Sequence, residues 1–338
     1  MRYDFTSDNT AGMAPEAFAG LERANHGWQK SYGADEVSAR CADLIRDKLQ
    51  ADAEIRFVFS GTAANALALS MLAKPFETVL THEHSHAITD EAGAPGFFGH
   101  GVGLRALKGP SGTIALDQLL EALAEPEPGY VQPPGALSLT QASEYGAVYR
   151  EETLRKLIEP CKLRGLGVHM DGARLANAVA AGFDPADVAR LGVDVLSFGA
   201  AKSGALCVEA LVVFNRALAA RIDNRLKQAG QVGSKTRFMA GALLGLLESG
   251  AWEGHAAHAN LMARRLEAAI RARTPFAIAH PVEANLVFIR MSAEQHARLL
   301  EAGFACYDFS DGSIRFVCSW ATTPEAVDEL AETLSQVA

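Results

Sequence analysis

Between residues 35 and 215 the chain alternates short apolar runs with helix-patterned stretches, and few folds accept that alternation. Residues 55–60 (IRFVFS), 79–80, 104–107, 136–140, 166–170 and 193–198 read as short buried strands. Between them, 35–50 carries Val37, Cys41, Leu44, Ile45 and Leu49 at helical spacing, and 62–72, 116–124 and 151–164 are further helical stretches. Strands separated by helices require crossover connections, so the pattern predicts an α/β fold: a mostly parallel central sheet with helices on both faces. A further apolar run at 206–214 is a strand whose direction the sequence leaves open. Beyond about residue 250 the texture changes. A long amphipathic helix (256–273) leads to strands at 276–279 and 285–291, a helix at 293–302, a strand at 314–318 and a last helix at 324–337. The expected organisation is an N-terminal arm (1–34), a large α/β domain (35–250) and a smaller α+β C-terminal domain (251–338).

Composition removes several classes of function. With 338 residues the chain is long enough for one large core and a second, smaller one. A formal charge of −9 leaves no basic surplus for neutralising phosphates, which argues against a nucleic-acid partner. No run of 18 apolar residues exists for a membrane span, and the opening Met1–Phe5 lacks a signal-peptide stretch. The five cysteines are scattered, odd in number and form no CxxC pair. That fits reduced thiols in a cytoplasm better than disulfides or a metal site.

Three segments carry chemistry. Ser60-Gly61-Thr62-Ala63-Ala64-Asn65 lies where a strand ends and a helix begins. Free N–H groups and the helix dipole favour an anion there, although the same residues also make an ordinary N-cap. Asp171, in His169-Met170-Asp171-Gly172-Ala173-Arg174, follows a buried strand at the sheet edge where open α/β folds bind ligands. A carboxylate there can hold a proton on a pyridine nitrogen; read alone, it is a helix cap. Lys202 ends an apolar strand among small residues, in Phe198-Gly199-Ala200-Ala201-Lys202-Ser203-Gly204. Desolvation disfavours an ammonium in such a setting, and a neutral amine is what Schiff-base formation requires. Individually each signal is weak. Their order along the chain (phosphate cup, ring-nitrogen acid, lysine) points to a pyridoxal 5'-phosphate (PLP) enzyme.

Over nearly its whole length the sequence resembles the low-specificity threonine aldolases, within the aromatic-amino-acid β-eliminating lyase and threonine aldolase group. Phe5-Thr6-Ser7-Asp8-Asn9, Tyr32-Gly33-Ala34-Asp35 and Asp90-Glu91-Ala92-Gly93-Ala94 carry the resemblance together with the three segments above. Ala257-His258-Ala259-Asn260 and Arg315-Phe316-Val317-Cys318-Ser319-Trp320 complete it. The resemblance implies the PLP-dependent transferase-like fold (aspartate-aminotransferase-like, fold type I). It implies a homotetramer, a dimer of dimers with sites between subunits. It also implies a carbon–carbon lyase of amino-acid metabolism that cleaves L-threonine and L-allo-threonine to glycine and acetaldehyde. Carried over residue by residue, Lys202 is the Schiff-base lysine, Asp171 faces the ring nitrogen and His86 stacks on the ring. Ser60, Gly61 and Thr62 hold the phosphate, while Arg174, Arg315 and Ser7 grip the substrate carboxylate, with Arg174 also beside the cofactor. Lys235 and Lys227 correspond to basic residues that reach a neighbouring subunit's phosphate. Cleavage of another β-hydroxy amino acid such as phenylserine, or β-elimination, would use the same cofactor residues. A non-catalytic α/β protein with a structural Lys202 is the remaining alternative.

The sequence departs from the family pattern at two places. Ala201 stands before the lysine where Ser or Thr is common, and Ser143 stands in the neighbourhood where many members have a second active-site histidine. His86, His84 and His82 are then the candidates for the base that takes the β-hydroxyl proton. The expectation is that His86, or water held by it, is that base, and that His84→Ala has little effect. Glu209 reads as a strand-edge residue, with a buried partner as the alternative, and Cys318 as a buried thiol.

Overall fold

The computed structural model describes residues 2–126 and 129–338. Its strands are β1 (Tyr3–Asp4), β2 (Glu54–Val58), β3 (Thr78–His82), β4 (Gly103–Leu107), β5 (Pro134–Thr140) and β6 (Gly167–Gly172). They continue with β7 (Val195–Phe198), β8 (Glu209–Val213), β9 (Leu286–Ile289), β10 (Phe304–Ala305), β11 (Tyr307–Asp308) and β12 (Ile314–Val317). Seven of them form the central sheet in the order β2-β8-β7-β6-β5-β3-β4. All of its pairings are parallel except the two made by β8. The reversal of β8 has a simple cause. Residues 199–208 are too few to carry a chain back across the sheet through a helix, so β8 returns directly alongside β7.

Local chemistry sets the flanking helices. Asp35 caps α2 (Glu36–Leu49), accepting from the Ser38 N–H at 2.7 Å, and Cys41, Ile45 and Leu49 form its fully buried stripe. Ser60 caps α3 (Gly61–Leu72), whose Ala- and Leu-rich surface is buried on the sheet. In the arm, α1 (Pro15–Ala24) packs against the helix Thr236–Ser249 at touching distance. A Cβ on Gly20 would stand 2.2 Å from the Gly241 carbonyl oxygen, so only glycine permits that approach.

The C-terminal strands form a separate antiparallel sheet, β11-β12-β9, above its own apolar cluster of Leu266, Ile270, Val287, Phe316 and Leu330. Phe5 of the arm belongs to this cluster, and β1 pairs with β10. Residues 276–279, expected as a strand, contribute only an isolated bridge between Ile278 and Ile289. The helix expected from 256 begins earlier, at Ala251–Arg273, and touches both cores: Trp252 and Ala256 in the large one, Met262 to Ile270 in the small. Among the described residues no helix is long and apolar enough to cross a membrane.

Candidate active site

The carboxyl ends of β2, β3, β5, β6 and β7 lie at one edge of the sheet, and each is followed by a segment singled out above. β2 runs into Ser60-Gly61-Thr62, β3 into His84 and His86, β6 into Arg174, and β7 into Lys202. Gly199 lets the last two exits meet, since a Cβ there would lie 2.5 Å from the carbonyl oxygens of Gly172 and Ala173. Trp252 fixes the lysine loop from behind. Its Nε1 donates to the Gly199 carbonyl at 2.8 Å, while its ring stacks on Phe198 at 4.8 Å. His255 Nδ1 contacts the Ser203 carbonyl at 2.8 Å.

Lys202, His86, Arg174, Arg315 and Ser7 line a cavity of about 340 Å³ together with His84, Glu144 and Ser310. Among the described residues, the Lys202 amine has neither a hydrogen-bond nor an ion-pair partner. Asp171 lies behind the cavity, 5% exposed, and its partners are two neutral donors. Asn65 Nδ2 donates to Oδ2 at 2.8 Å, and the Ala173 N–H donates to Oδ1 at 2.9 Å. Asn65 Nδ2 also donates to Glu91 Oε1 at 2.8 Å, and the same oxygen meets His86 Nδ1 at 2.9 Å. A continuous chain therefore runs Asp171–Asn65–Glu91–His86. The Glu91 hydrogen bond raises the His86 pKa against the opposing effect of burial. Burial raises that of Glu91, with the bonds from His86 and Asn65 acting in the other direction. Both shifts favour keeping a proton on this pair.

The two arginines differ. Arg174 gives Nε and Nη2 to Asp8 at 2.8 and 3.0 Å, and its Nη1 lies 3.8 Å from Glu144. Burial pushes Asp8 upward, but Arg174, Lys202 and Asn285 hold its carboxyl below the usual range. Arg315 instead donates Nη2 to the Thr6 carbonyl at 3.1 Å and leaves a buried Nε–H without a partner among the described residues. Its guanidinium lies 5.1 Å from the Phe309 ring centroid. An unsatisfied buried cationic donor facing a cavity is the natural seat for a carboxylate.

Several expectations meet a different arrangement. Ser143 is fully buried and does not reach the cavity, because its hydroxyl donates to the Ser111 carbonyl at 2.7 Å. Glu144, the next residue, is what this loop presents to the cavity. His84, expected to be a bystander in a turn, is part of the cavity wall, with Nδ1 3.1 Å from Ser310 Oγ. Glu209 is not at a sheet edge. It lies on β8 between two strands, buried, with Oε2 accepting from the Ala200 N–H at 2.6 Å. Cys318 is a fully buried thiol. His169, beside Asp171, is buried between Ser138 (2.9 Å) and Ser197 (3.0 Å) and ties β5, β6 and β7 together. Asp8, Asn65, Glu91 and Glu144 were not assigned roles from sequence. The first three lie inside motifs of the resemblance, and Glu144 directly follows Ser143.

Lys227 and Lys235 stay outside this cavity. Lys227 packs over the Tyr32 ring at 5.2 Å, in the wall of a larger cavity of about 700 Å³ beside α2. Lys235 precedes the helix Thr236–Ser249 and faces the segment Gly27 to Ser31.

The donor set fits PLP. Asp171 is a buried carboxylate without an ion pair among the described residues, an arrangement that a protonated pyridine nitrogen would neutralise. Lys202 offers an unengaged amine. The N–H groups of Gly61 and Thr62 open α3 without protein partners among the described residues, and nothing lies within 4 Å of where a Gly61 Cβ would be. A phosphate can approach that helix start closely.

Comparison with known proteins agrees with this reading. The family model for beta-eliminating lyase matches residues 4–294. The chain is 43% identical to the low specificity L-threonine aldolase of Pseudomonas sp. (strain NCIMB 10558), covering 98% of this chain and 97% of that one. It is 41% identical to the enzyme of that description from Pseudomonas aeruginosa, with the same coverage. The solved structure of Leishmania major threonine aldolase superposes with a TM-score of 0.92 at 29% identity, over 99% of this chain and 100% of that one. In architecture the protein is a PLP-dependent transferase-like, fold-type-I molecule, and by both sequence and structure the chain belongs to the beta-eliminating lyase family.

Proposed function

We propose that the protein is a PLP-dependent aldolase that cleaves L-threonine and L-allo-threonine to glycine and acetaldehyde. The observation that carries this reading is the meeting of Lys202, Arg315 and the Asp171–His86 chain at one cavity. PLP, when bound, supplies an electron sink for the bond pair released at the substrate Cα. Lys202 provides the amine that carries the cofactor. Asp171 holds the proton on the ring nitrogen, and His86 covers the ring face. The N–H groups of Gly61 and Thr62, with the Ser60 hydroxyl, receive the phosphate. Arg315 and Ser7 fix the substrate carboxylate, Arg174 adding its Nη1 while Asp8 holds it in place. With the carboxylate fixed, the Cα–Cβ bond is set for cleavage rather than left to rotate. Lys227 and Lys235, remote from their own cavity, serve a neighbouring subunit's phosphate in a homotetramer, and the enzyme acts in the cytoplasm.

The test is an absorbance spectrum before and after borohydride reduction, followed by mass mapping of the labelled lysine and product analysis with L-threonine. The reading requires label on Lys202 and equimolar glycine and acetaldehyde. A keto acid with ammonia would mark β-elimination, and absence of a lysine-bound chromophore would exclude the cofactor role.

A further inference from the structure

We propose that His84 takes the proton of the substrate's β-hydroxyl, with Ser310 as its positioning residue. The inference rests on the aldolase reading above and deepens it.

The exit of β3 places three histidines close together, and among the described residues two of them are engaged elsewhere. His82 is buried, its Nδ1 accepts the His84 backbone N–H at 3.1 Å, and its Nε2 meets the Gly109 carbonyl at 3.2 Å. Those partners require a neutral ring with the proton on Nε2, and neither nitrogen reaches the cavity. His86 lines the cavity, but its Nδ1 is bound to Glu91, which joins it to the Asp171–Asn65–Glu91 chain, and in the reading above its ring covers the cofactor, so it belongs to the cofactor side. His84 lines the cavity with Lys202, Arg174 and Arg315. Its Nδ1 meets Ser310 Oγ at 3.1 Å, and its ring stands edge-on to Tyr145 at 5.5 Å. Its Nε2 has no protein partner among the described residues. If Nδ1–H donates to Ser310, the Nε2 lone pair is left for a ligand. This is the arrangement of a general base oriented by a second group.

Two carboxylates also line the cavity. Glu144 lies 3.8 Å from Arg174 Nη1, with the groups that receive the substrate carboxylate. Asp90 is exposed and accepts from the adjacent Thr89 hydroxyl at 2.5 Å. Neither is oriented from both sides as His84 is, by the β3 exit and by the turn between β11 and β12. In the step itself the β-O–H bond breaks and its proton moves to His84 Nε2. The oxygen's electron pair forms the aldehyde C=O, and the Cα–Cβ pair stays with Cα. A proton delivered to Cα completes glycine, so the substrate's atoms are divided between glycine and the aldehyde with no other reactant.

The experiment compares the wild-type holoenzyme with His84→Phe, His84→Gln and His86→Phe, and with Ser310→Ala and Ser310→Thr. Four quantities are read: kcat and KM for L-threonine, exchange of the glycine α-hydrogen in deuterated water, PLP affinity of the apoenzyme, and thermal midpoint. Both His84 variants should lose on the order of 10²-fold or more in kcat with little change in KM. Glycine exchange, which has no β-hydroxyl to deprotonate, should persist, and PLP affinity and thermal midpoint should stay at wild-type values. Ser310→Ala should lower kcat less, and Ser310→Thr should restore it. Wild-type cleavage with both His84 variants within about three-fold in kcat overturns the assignment while leaving the aldolase reading intact. Loss of exchange together with cleavage overturns it too, because the damage would then not be confined to the hydroxyl. A wild-type enzyme that forms no glycine from L-threonine overturns the aldolase reading itself.

Discussion

The two sides of the cavity are built on opposite terms. On the cofactor side, Asp171, Asn65, Glu91 and His86 are joined by hydrogen bonds of 2.8 to 2.9 Å, all between residues 65 and 171. On the substrate side, among the described residues, Arg315 keeps an orphaned Nε–H, Lys202 has a free amine and His84 a free ring nitrogen. Leaving buried donors unpaired costs stability, typically about 1–3 kcal/mol each. Among the described residues that cost falls on the Arg315 Nε–H on the substrate side; the cofactor side is more fully tied by its hydrogen bonds, although Asn65 Oδ1 and Glu91 Oε2 also lack partners there. The sides also differ in assembly. The cofactor side comes from the exits of β2, β3 and β6, whereas the substrate side joins Ser7 near the N-terminus with Ser310 and Arg315 near the C-terminus.

If that contrast is right, the largest effect belongs to the residue that serves both sides. Lys202→Ala should leave the fold intact and lower turnover on the order of 10³-fold or more, with no borohydride-fixed PLP on the chain. Wild-type turnover in that variant, or label recovered on another lysine, would break the comparison. Next is Asp171→Asn, in which a neutral amide no longer holds the ring proton. A loss on the order of 10²-fold in kcat is expected, with PLP affinity changed far less, because the phosphate contacts persist. Unchanged turnover would mean that another group protonates the ring.

A smaller effect should follow from cutting the chain one link away. Glu91→Gln removes the carboxylate that raises His86, so the His86 pKa should fall toward its ordinary value. By NMR the ring should lose its proton at lower pH than in wild type. The rate should drop about ten-fold, the equivalent of one charged hydrogen bond. An unmoved His86 titration would show that the ring is held by something other than Glu91.

The two sides were also unequally legible in the sequence. The alternation of strands and helices gave the parallel sheet, and strand exits then placed Lys202 and Asp171 at one edge, because position after a buried strand is a local property. Direction of β8 follows from a short connection, a clue available in the residue count that the apolar pattern alone does not convey. Asn65 and Glu91 could not be assigned from pattern, since their roles come from side chains meeting across 26 residues. Glu144 and Ser143 show the limit most plainly. Adjacent residues of one loop point to different places, and only the packing of Ser143 against the Ser111 carbonyl decides which enters the cavity. Arg174 was legible as an active-site arginine, but its engagement by Asp8, 166 positions away, was not.

Glu209 supplies the smallest and most delicate test, because it lies beneath the lysine loop where the two sides meet. Burial raises its pKa from 4.5 to about 7, although Lys202 and the N–H groups of Ala200 and Ala201 oppose the shift. A carboxyl whose folded-state pKa is raised binds its proton more tightly when folded. Its contribution to stability is therefore fully present below about pH 4.5 and is lost as pH rises through about 7. Glu209→Gln keeps the carbonyl that accepts from Ala200 but cannot ionise, so it should escape that loss. The variant should match wild type near pH 5 and exceed it near pH 8 by on the order of 1–3 kcal/mol in urea unfolding. A stability difference that does not change with pH would show that Glu209 does not titrate in this window. Greater stability of the wild type at pH 8 would mean that the ionised carboxylate is held by Lys202 more strongly than burial penalises it. In that case the lysine amine is not free in the resting protein, and the division between a tied cofactor side and an open substrate side would have to be redrawn at Lys202.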